Sequence, residues 1–301
     1  MKLSIPFFSI LFLIISCKEN PKKDVQKNTT PQNKVETAPV VITADTSNMV
    51  SFKGGTITIG SDNGETNEAP TFETQVAPFL LDKNLVSVAD FRKFIEATDY
   101  KTEADKFGDS GVFMFDQAQW TLLKGANWEY PLGETKPKSI DNHPVTHVSW
   151  NDAQAYASWI GKRLPTEFEY EFAAKNGENT IYPWGNAVLK SGKYMANVWQ
   201  GTSVKDTDAK DGYLLTSPIG HYGASPAGLT DIVGNVWQWT EDIYGSYPGN
   251  PNPEPKNPKI RSTRGGSFMF DQALEKSFTT TFRAKNSVDT SLFNTGFRCA
   301  K

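Results

Sequence analysis

The sequence predicts one domain, about residues 48–301, of short helical and extended elements set in long irregular stretches. Three observations predict it. The 301-residue chain is 38% hydrophobic and 22% charged, an ordinary globular composition with length enough for a large core. Its amphipathic helical patterns are short and all lie before Gly177. Beyond that point Gly and Pro interrupt the chain every few residues while aromatic and apolar residues stay frequent. No internal repeat or second linker is visible. All eight tryptophans fall between Trp120 and Trp239, so the densest part of the core is expected in the middle of the chain.

Residues 1–16 stand apart. Lys2 precedes an almost unbroken apolar run from Leu3 to Ile15, shorter than the ~20 residues of a membrane-spanning helix and matched to a signal-peptide core. The run ends Ile14-Ile15-Ser16-Cys17, which resembles a bacterial lipobox with Cys17 as the acylated residue. The alternative is an ordinary secretory signal with an incidental thiol, but the cysteine stands where the apolar run stops. Several acyl chains would anchor the protein to a membrane outside the cytoplasm, in the cell envelope. Residues 17–47 carry no apolar period and read as a flexible tether. Between 18 and 47 five lysines face four acidic residues, which argues against a polybasic arm.

Thr56-Ile57-Thr58-Ile59 alternates like a half-buried strand and stops at Gly60. Ser87 to Thr98 reads as an amphipathic helix, with Ser87 and Asp90 at its start and Phe91, Phe94 and Ile95 on one face. A second helix is expected from about Asn151 to Ile160, with Tyr156, Trp159 and Ile160 inward and Gly161 stopping it. Pro165 and Thr166 open a third, where Glu169 completes a capping box and Phe168 and Phe172 stack one turn apart. The long loops that follow need staples. Two cysteines cannot form a disulfide scaffold, so bound metal ions are expected to hold them.

Composition also narrows function. Net charge is −3 and no basic block exceeds two residues, which argues against nucleic-acid binding. Two cysteines rule out a four-thiolate zinc or iron–sulfur site, and three histidines leave little for a histidine-built metal centre. His143 and His147 are four apart, but Pro144 and the alternating Val145 and Val148 predict an extended segment that separates them by some 13 Å. Packed, hydrogen-bonded imidazoles are the expectation. His221 is a loop residue with no visible partner.

A series of strings carries more specific information. Phe107-Gly108-Asp109-Ser110 is followed by Lys124-Gly125-Ala126-Asn127-Trp128, His143-Pro144-Val145 and His147-Val148-Ser149-Trp150. Next come Gly161-Lys162-Arg163-Leu164-Pro165-Thr166-Glu167, Tyr182-Pro183-Trp184-Gly185-Asn186 and Ala196-Asn197-Val198-Trp199-Gln200-Gly201. The last are Ile232-Val233-Gly234-Asn235-Val236-Trp237, Arg264-Gly265-Gly266-Ser267 and Gly296-Phe297-Arg298-Cys299. In this order residues 50–301 resemble the formylglycine-generating enzymes, or sulfatase-modifying factors. The resemblance implies an α+β fold with a distorted C-type-lectin-like core and little regular structure. It also implies structural calcium and a copper-dependent oxidase that converts a sulfatase cysteine within Cys-x-Pro-x-Arg to formylglycine, using dioxygen.

Carried over by position, one implied calcium site falls on Asn197, Val198, Asp211 and Tyr213, all compatible with oxygen ligation through side chains or carbonyls. The second falls on Asp231, Gly234, Val236 and Gln238. Here the family's usual Asn is Asp231 and its usual Glu is Gln238, so one carboxylate is gained and one lost. Calcium is still expected, at lower affinity. The two copper-binding cysteines of the family fall on Phe270 and Glu275, the first three positions beyond Ser267. Cuprous copper needs thiolate, a benzyl ring cannot ligate it and a carboxylate is a hard donor, so copper is not expected. Cys299 belongs to the terminal string; its usual partner position is Ala157, so it reads as a buried free thiol. Ser267 has no assigned His–acid pair, and Glu275 is a lone carboxylate.

Two function classes follow. One is a binding module that keeps the scaffold and its peptide cleft, with an extended segment of a sulfatase or another secreted protein as partner. The other is an enzyme, either still maturing sulfatases through an unseen ligand set or performing a different oxidative tailoring reaction. A structural lipoprotein in a surface machine is a third possibility.

Overall fold

The computed structural model describes residues 44–201, 203–206, 209–269 and 276–301. The expected signal segment, Cys17 and most of the tether lie outside the described residues, as do Phe270 and Glu275.

Strands β1 (Met49–Phe52), β2 (Gly55–Ile59), β3 (Phe72–Val76) and β4 (Phe79–Asp82) form two antiparallel pairs, β1 with β4 and β2 with β3. The alternation at Thr56–Ile59 is thus a strand, with Ile59 fully buried. Helix α1 (Val88–Thr98) begins at Ser87, whose hydroxyl accepts from the Asp90 N–H, and it buries Phe91 and Phe94. Helix α2 (Glu103–Phe107) opens with a reciprocal Thr102–Asp105 box; its five residues are too few to show a hydrophobic period in sequence. Strands β5 (Asp109–Met114) and β6 (Gln119–Lys124) make a hairpin.

Helix α3 (Trp150–Trp159) starts at a Ser149–Asp152 box and α4 (Glu167–Lys175) at the Thr166–Glu169 box, each side chain satisfying an end N–H that the helix cannot. After the two-residue strands β7 (Leu189–Lys190) and β8 (Lys193–Tyr194), the chain runs irregularly to β9 (Trp237–Ile243). With β10 (Ile260–Arg264), β11 (Arg283–Ser287) and β12 (Thr295–Gly296) it forms a four-stranded sheet in the order β11-β10-β9-β12. β12 runs parallel to β9 and the other pairs are antiparallel. The mixed, loop-rich α+β architecture agrees with the expectation.

The core is less central than the tryptophans suggest. Phe91, Phe94, Tyr156 and Trp239 pack with Phe297 and Cys299 near the C-terminal end, and a second cluster joins Phe52, Phe79 and Leu81 to Tyr170 and Leu229. Trp120 is 45% exposed. Aromatic area is available from 19 phenylalanines spread along the chain, so tryptophan position alone misplaces the core. In α3, Tyr156 is buried while Trp159 and Ile160 sit at the rim of the first cluster.

Phe168 and Phe172 do not stack on each other. Phe168 meets Phe72 and Tyr247, and Phe172 meets Phe52 and Phe79. The more buried face of α4 sets Glu167, Glu171 and Lys175 beside Tyr170 and Ala174. Glu167 accepts from Arg264 (2.9 Å) and from both Nε and Nη2 of Arg283 (2.7 Å each), and Glu171 accepts from Arg264 (2.6 Å) and pairs with Lys175 (2.8 Å). Burial opposes ionisation of Glu167, but Arg283 and Arg264 prevail and hold its carboxyl below the ordinary value. This network pins α4 to the four-stranded sheet.

The segment around the histidines is extended only in part. Val145 N–H donates to Val86 O, but His147 turns into the left-handed region at φ 56°. It is fully buried, with Nε2 2.9 Å from Pro131 O and Nδ1 2.7 Å from Ser110 Oγ. A carbonyl only accepts, so Nε2 carries a proton. Burial pushes the ring's pKa down to about 3. His143 Nδ1 lies 3.0 Å from Thr216 Oγ1, and His221, expected without a partner, packs edge-on against Tyr213 and Tyr222. None of the three histidines joins a metal-binding group of His, Cys, Asp and Glu among the described residues.

Candidate functional site

Asn197, Val198, Asp211 and Tyr213 come together in the irregular stretch before β9. The Asp211 carboxylate is clasped by Val198 N–H on Oδ2 (2.9 Å) and by Tyr213 N–H on Oδ1 (3.1 Å). Burial is the main influence on it and raises its pKa, and no cation pairs with it among the described residues. The Asn197 side chain donates through Nδ2 to Leu215 O (2.7 Å) and Asn235 Oδ1 (3.2 Å). Its Oδ1 is buried and has no partner among the described residues. An orphaned carbonyl oxygen beside a buried, unpaired carboxylate fits a hard cation such as calcium, which takes both donor types.

The second predicted set is different. Asp231 accepts from Gly220 N–H on Oδ2 (2.7 Å) and from Asn235 Nδ2 on Oδ1 (3.2 Å). Gln238 is fully buried; its Oε1 accepts from Arg298 Nε (2.7 Å) and its Nε2 donates to Asp231 O (3.0 Å) and Ile232 O (3.1 Å). Every side-chain polar atom of Asp231 and Gln238 is engaged, and an amide N–H₂ points at carbonyl oxygens. This donor set does not fit calcium.

Asn235, not singled out in sequence, joins the two places. It is fully buried at φ 59°, its N–H donates to Asn197 O (2.8 Å), and its side chain spans Asn197 Nδ2 and Asp231 Oδ1. Gly234 beside it lies at φ 75°, and a Cβ there would stand 2.7 Å from Asn197 O, so only glycine permits this approach. The Gly-Asn pair in the quoted string was the available signal.

Ser267 lies at the start of the remaining candidate region. Its Oγ accepts from Asn294 Nδ2 (3.1 Å) and Met269 N–H (3.2 Å), and no histidine bonds to it among the described residues. Phe268 packs on Phe293 and with Val112 and Phe113, and Phe115 stacks on Trp199 at 5.1 Å. Trp120 meets Phe293 edge-on while staying partly exposed. The predicted positions Phe270 and Glu275 lie outside the described residues. Cys299 is a free, fully buried thiol, and burial raises its pKa well above the ordinary range. Ala157, its expected neighbour, lies in the same cluster.

Residues 32–301 match the family described as the sulfatase-modifying factor enzyme 1-like domain. The formylglycine-generating enzyme of Mus musculus is 40% identical over 276 residues, covering 84% of this chain and 74% of that protein. The formylglycine-generating enzyme of Thermomonospora curvata is 37% identical over 280 residues, covering 84% and 92%. The protein of Bos taurus named inactive C-alpha-formylglycine-generating enzyme 2 is 37% identical over 277 residues, covering 85% and 88%. Among solved structures, PvdO from Pseudomonas aeruginosa shares the fold with a TM-score of 0.62 at 22% identity, covering 84% of this chain and 93% of its own.

Proposed function

Because this chain belongs to the sulfatase-modifying factor family, we propose that it is an envelope-anchored member that binds an extended peptide and does not oxidise it. The observation that carries this reading is the replacement of both family copper cysteines by Phe270 and Glu275. The one described thiol, Cys299, is buried and protonated, so it offers no substitute thiolate. The similarity to a relative named as inactive supports the same reading. Trp120, 45% exposed, and half-buried Phe115 rest on buried Phe293 and Trp199 near Ser267, and this exposed aromatic surface supports contact with an extended peptide, with a sulfatase or another secreted protein as partner. Calcium at Asn197–Asp211 stabilises the loops behind it, and acylated Cys17 supplies the membrane anchor.

The test uses the full-length protein in detergent, a Cys-x-Pro-x-Arg peptide, cuprous copper, reductant and air, with the peptide followed by mass spectrometry and by fluorescence anisotropy. The expected result is saturable binding, weakened by Phe115→Ala, with no aldehyde product. Protein-dependent aldehyde formation would establish the rival reading, an oxidase maturing sulfatases, which the 40% identity to a formylglycine-generating enzyme favours.

A further inference from the structure

We propose that Gln238, its amide held by Arg298, closes the second of the two calcium positions carried over from the family, leaving Asn197–Asp211 as this chain's single calcium site. A guanidinium only donates, so the Gln238 atom facing Arg298 Nε is the oxygen, and this fixes the amide orientation. All five N–H groups of Arg298 are engaged. Nε serves Gln238, Nη1 serves Asp82 O and Lys83 O (3.0 Å each), and Nη2 serves Thr230 O (2.8 Å) and Asp231 O (2.9 Å). Four main-chain carbonyls thus fix a fully buried guanidinium, which in turn fixes the Gln238 amide.

A calcium ion at Asp231 would need about six to eight oxygens. Reaching them requires turning the Gln238 amide, whose N–H₂ faces carbonyl oxygens and whose Oε1 is held by a fixed positive charge. The departure from the family at position 238 explains the arrangement. A glutamate there would set its second oxygen against the carbonyls of Asp231 and Ile232, an opposition that an entering cation relieves. Glutamine turns an N–H₂ toward the same carbonyls and needs no ion.

The experiment titrates calcium into the chelator-stripped full-length protein by isothermal calorimetry and counts bound ions by native mass spectrometry. Wild type is expected to bind one ion, Asp231→Asn also one, and Gln238→Glu two. Asp211→Asn should reduce the count by one in both the wild-type and Gln238→Glu backgrounds. A wild-type count of two that Asp231→Asn lowers to one would overturn the assignment, as would Gln238→Glu binding no more than wild type. Should Asp231→Asn fail to fold, the Gln238→Glu comparison still decides. A wild-type count of zero would overturn the single-site statement, and a gain of one in Gln238→Glu would then support the Gln238 assignment by itself.

Discussion

The α4–sheet junction and the Asn197–Asp211 loop both bury charge, and they do so in opposite ways. At the junction, Glu167 and Glu171 meet Arg264, Arg283 and Lys175, and the network is closed by covalently attached partners. At the loop, Asp211 accepts from two backbone N–H groups beside the Gln200 side chain, with no cation paired to it, and Asn197 Oδ1 meets nothing among the described residues. The first region carries its counter-charges in the chain; among the described residues the second has none. A buried polar group without a partner costs on the order of 1–3 kcal/mol, so the loop's stability should depend on what the solution supplies, whereas the junction's should not.

The largest effect should come from breaking the junction. Arg264→Ala leaves Glu167 with one cationic partner and Glu171 with Lys175 alone, and should cost about 3–5 kcal/mol in urea unfolding. A loss below about 1 kcal/mol would mean that the network is not what fastens α4. Calcium should separate the two regions next. At 100 times its dissociation constant it should stabilise the protein by about 2.7 kcal/mol. Chelation should then raise amide exchange at residues 196–201 and 209–215 while leaving α4 protected; equal deprotection of both would erase the distinction.

Protons give a graded effect, the smallest when taken per pH unit. His147 is neutral when folded and its pKa is depressed to about 3, so below its ordinary value near 6.5 the unfolded chain binds a proton that the folded chain refuses. Its contribution is complete above pH 6.5 and falls by at most about 1.4 kcal/mol per pH unit as pH drops towards 3. Urea midpoints against pH should flatten over that window in His147→Gln. An unchanged slope would assign acid sensitivity to the carboxylates instead.

Helix starts were legible because caps are local: Ser87–Asp90 and Thr166–Glu169 lie three residues apart and were read directly. The calcium-compatible set was legible only through the resemblance, since Asn197 and Asp211 meet across a loop without periodicity. The junction was invisible. Glu167 and Arg264 are 97 residues apart, and nothing local marks a glutamate that will be 2% exposed. The spacing of Phe168 and Phe172 marked one packed face, but apolar spacing cannot say that Glu167 and Glu171 will meet Arg264, Arg283 and Lys175 on another.

The zipper at the C-terminal end has a kinetic meaning. Leu80 exchanges both backbone hydrogen bonds with Lys301, Ala300 bridges Arg163, and Cys299 N–H reaches back 217 residues to Asp82. Strand β4 therefore finds one of its edges only after a very distant segment arrives, and contacts of such sequence separation make folding slow. A chain closed by so remote a clasp has no completed β4 edge until residues 299–301 have been made.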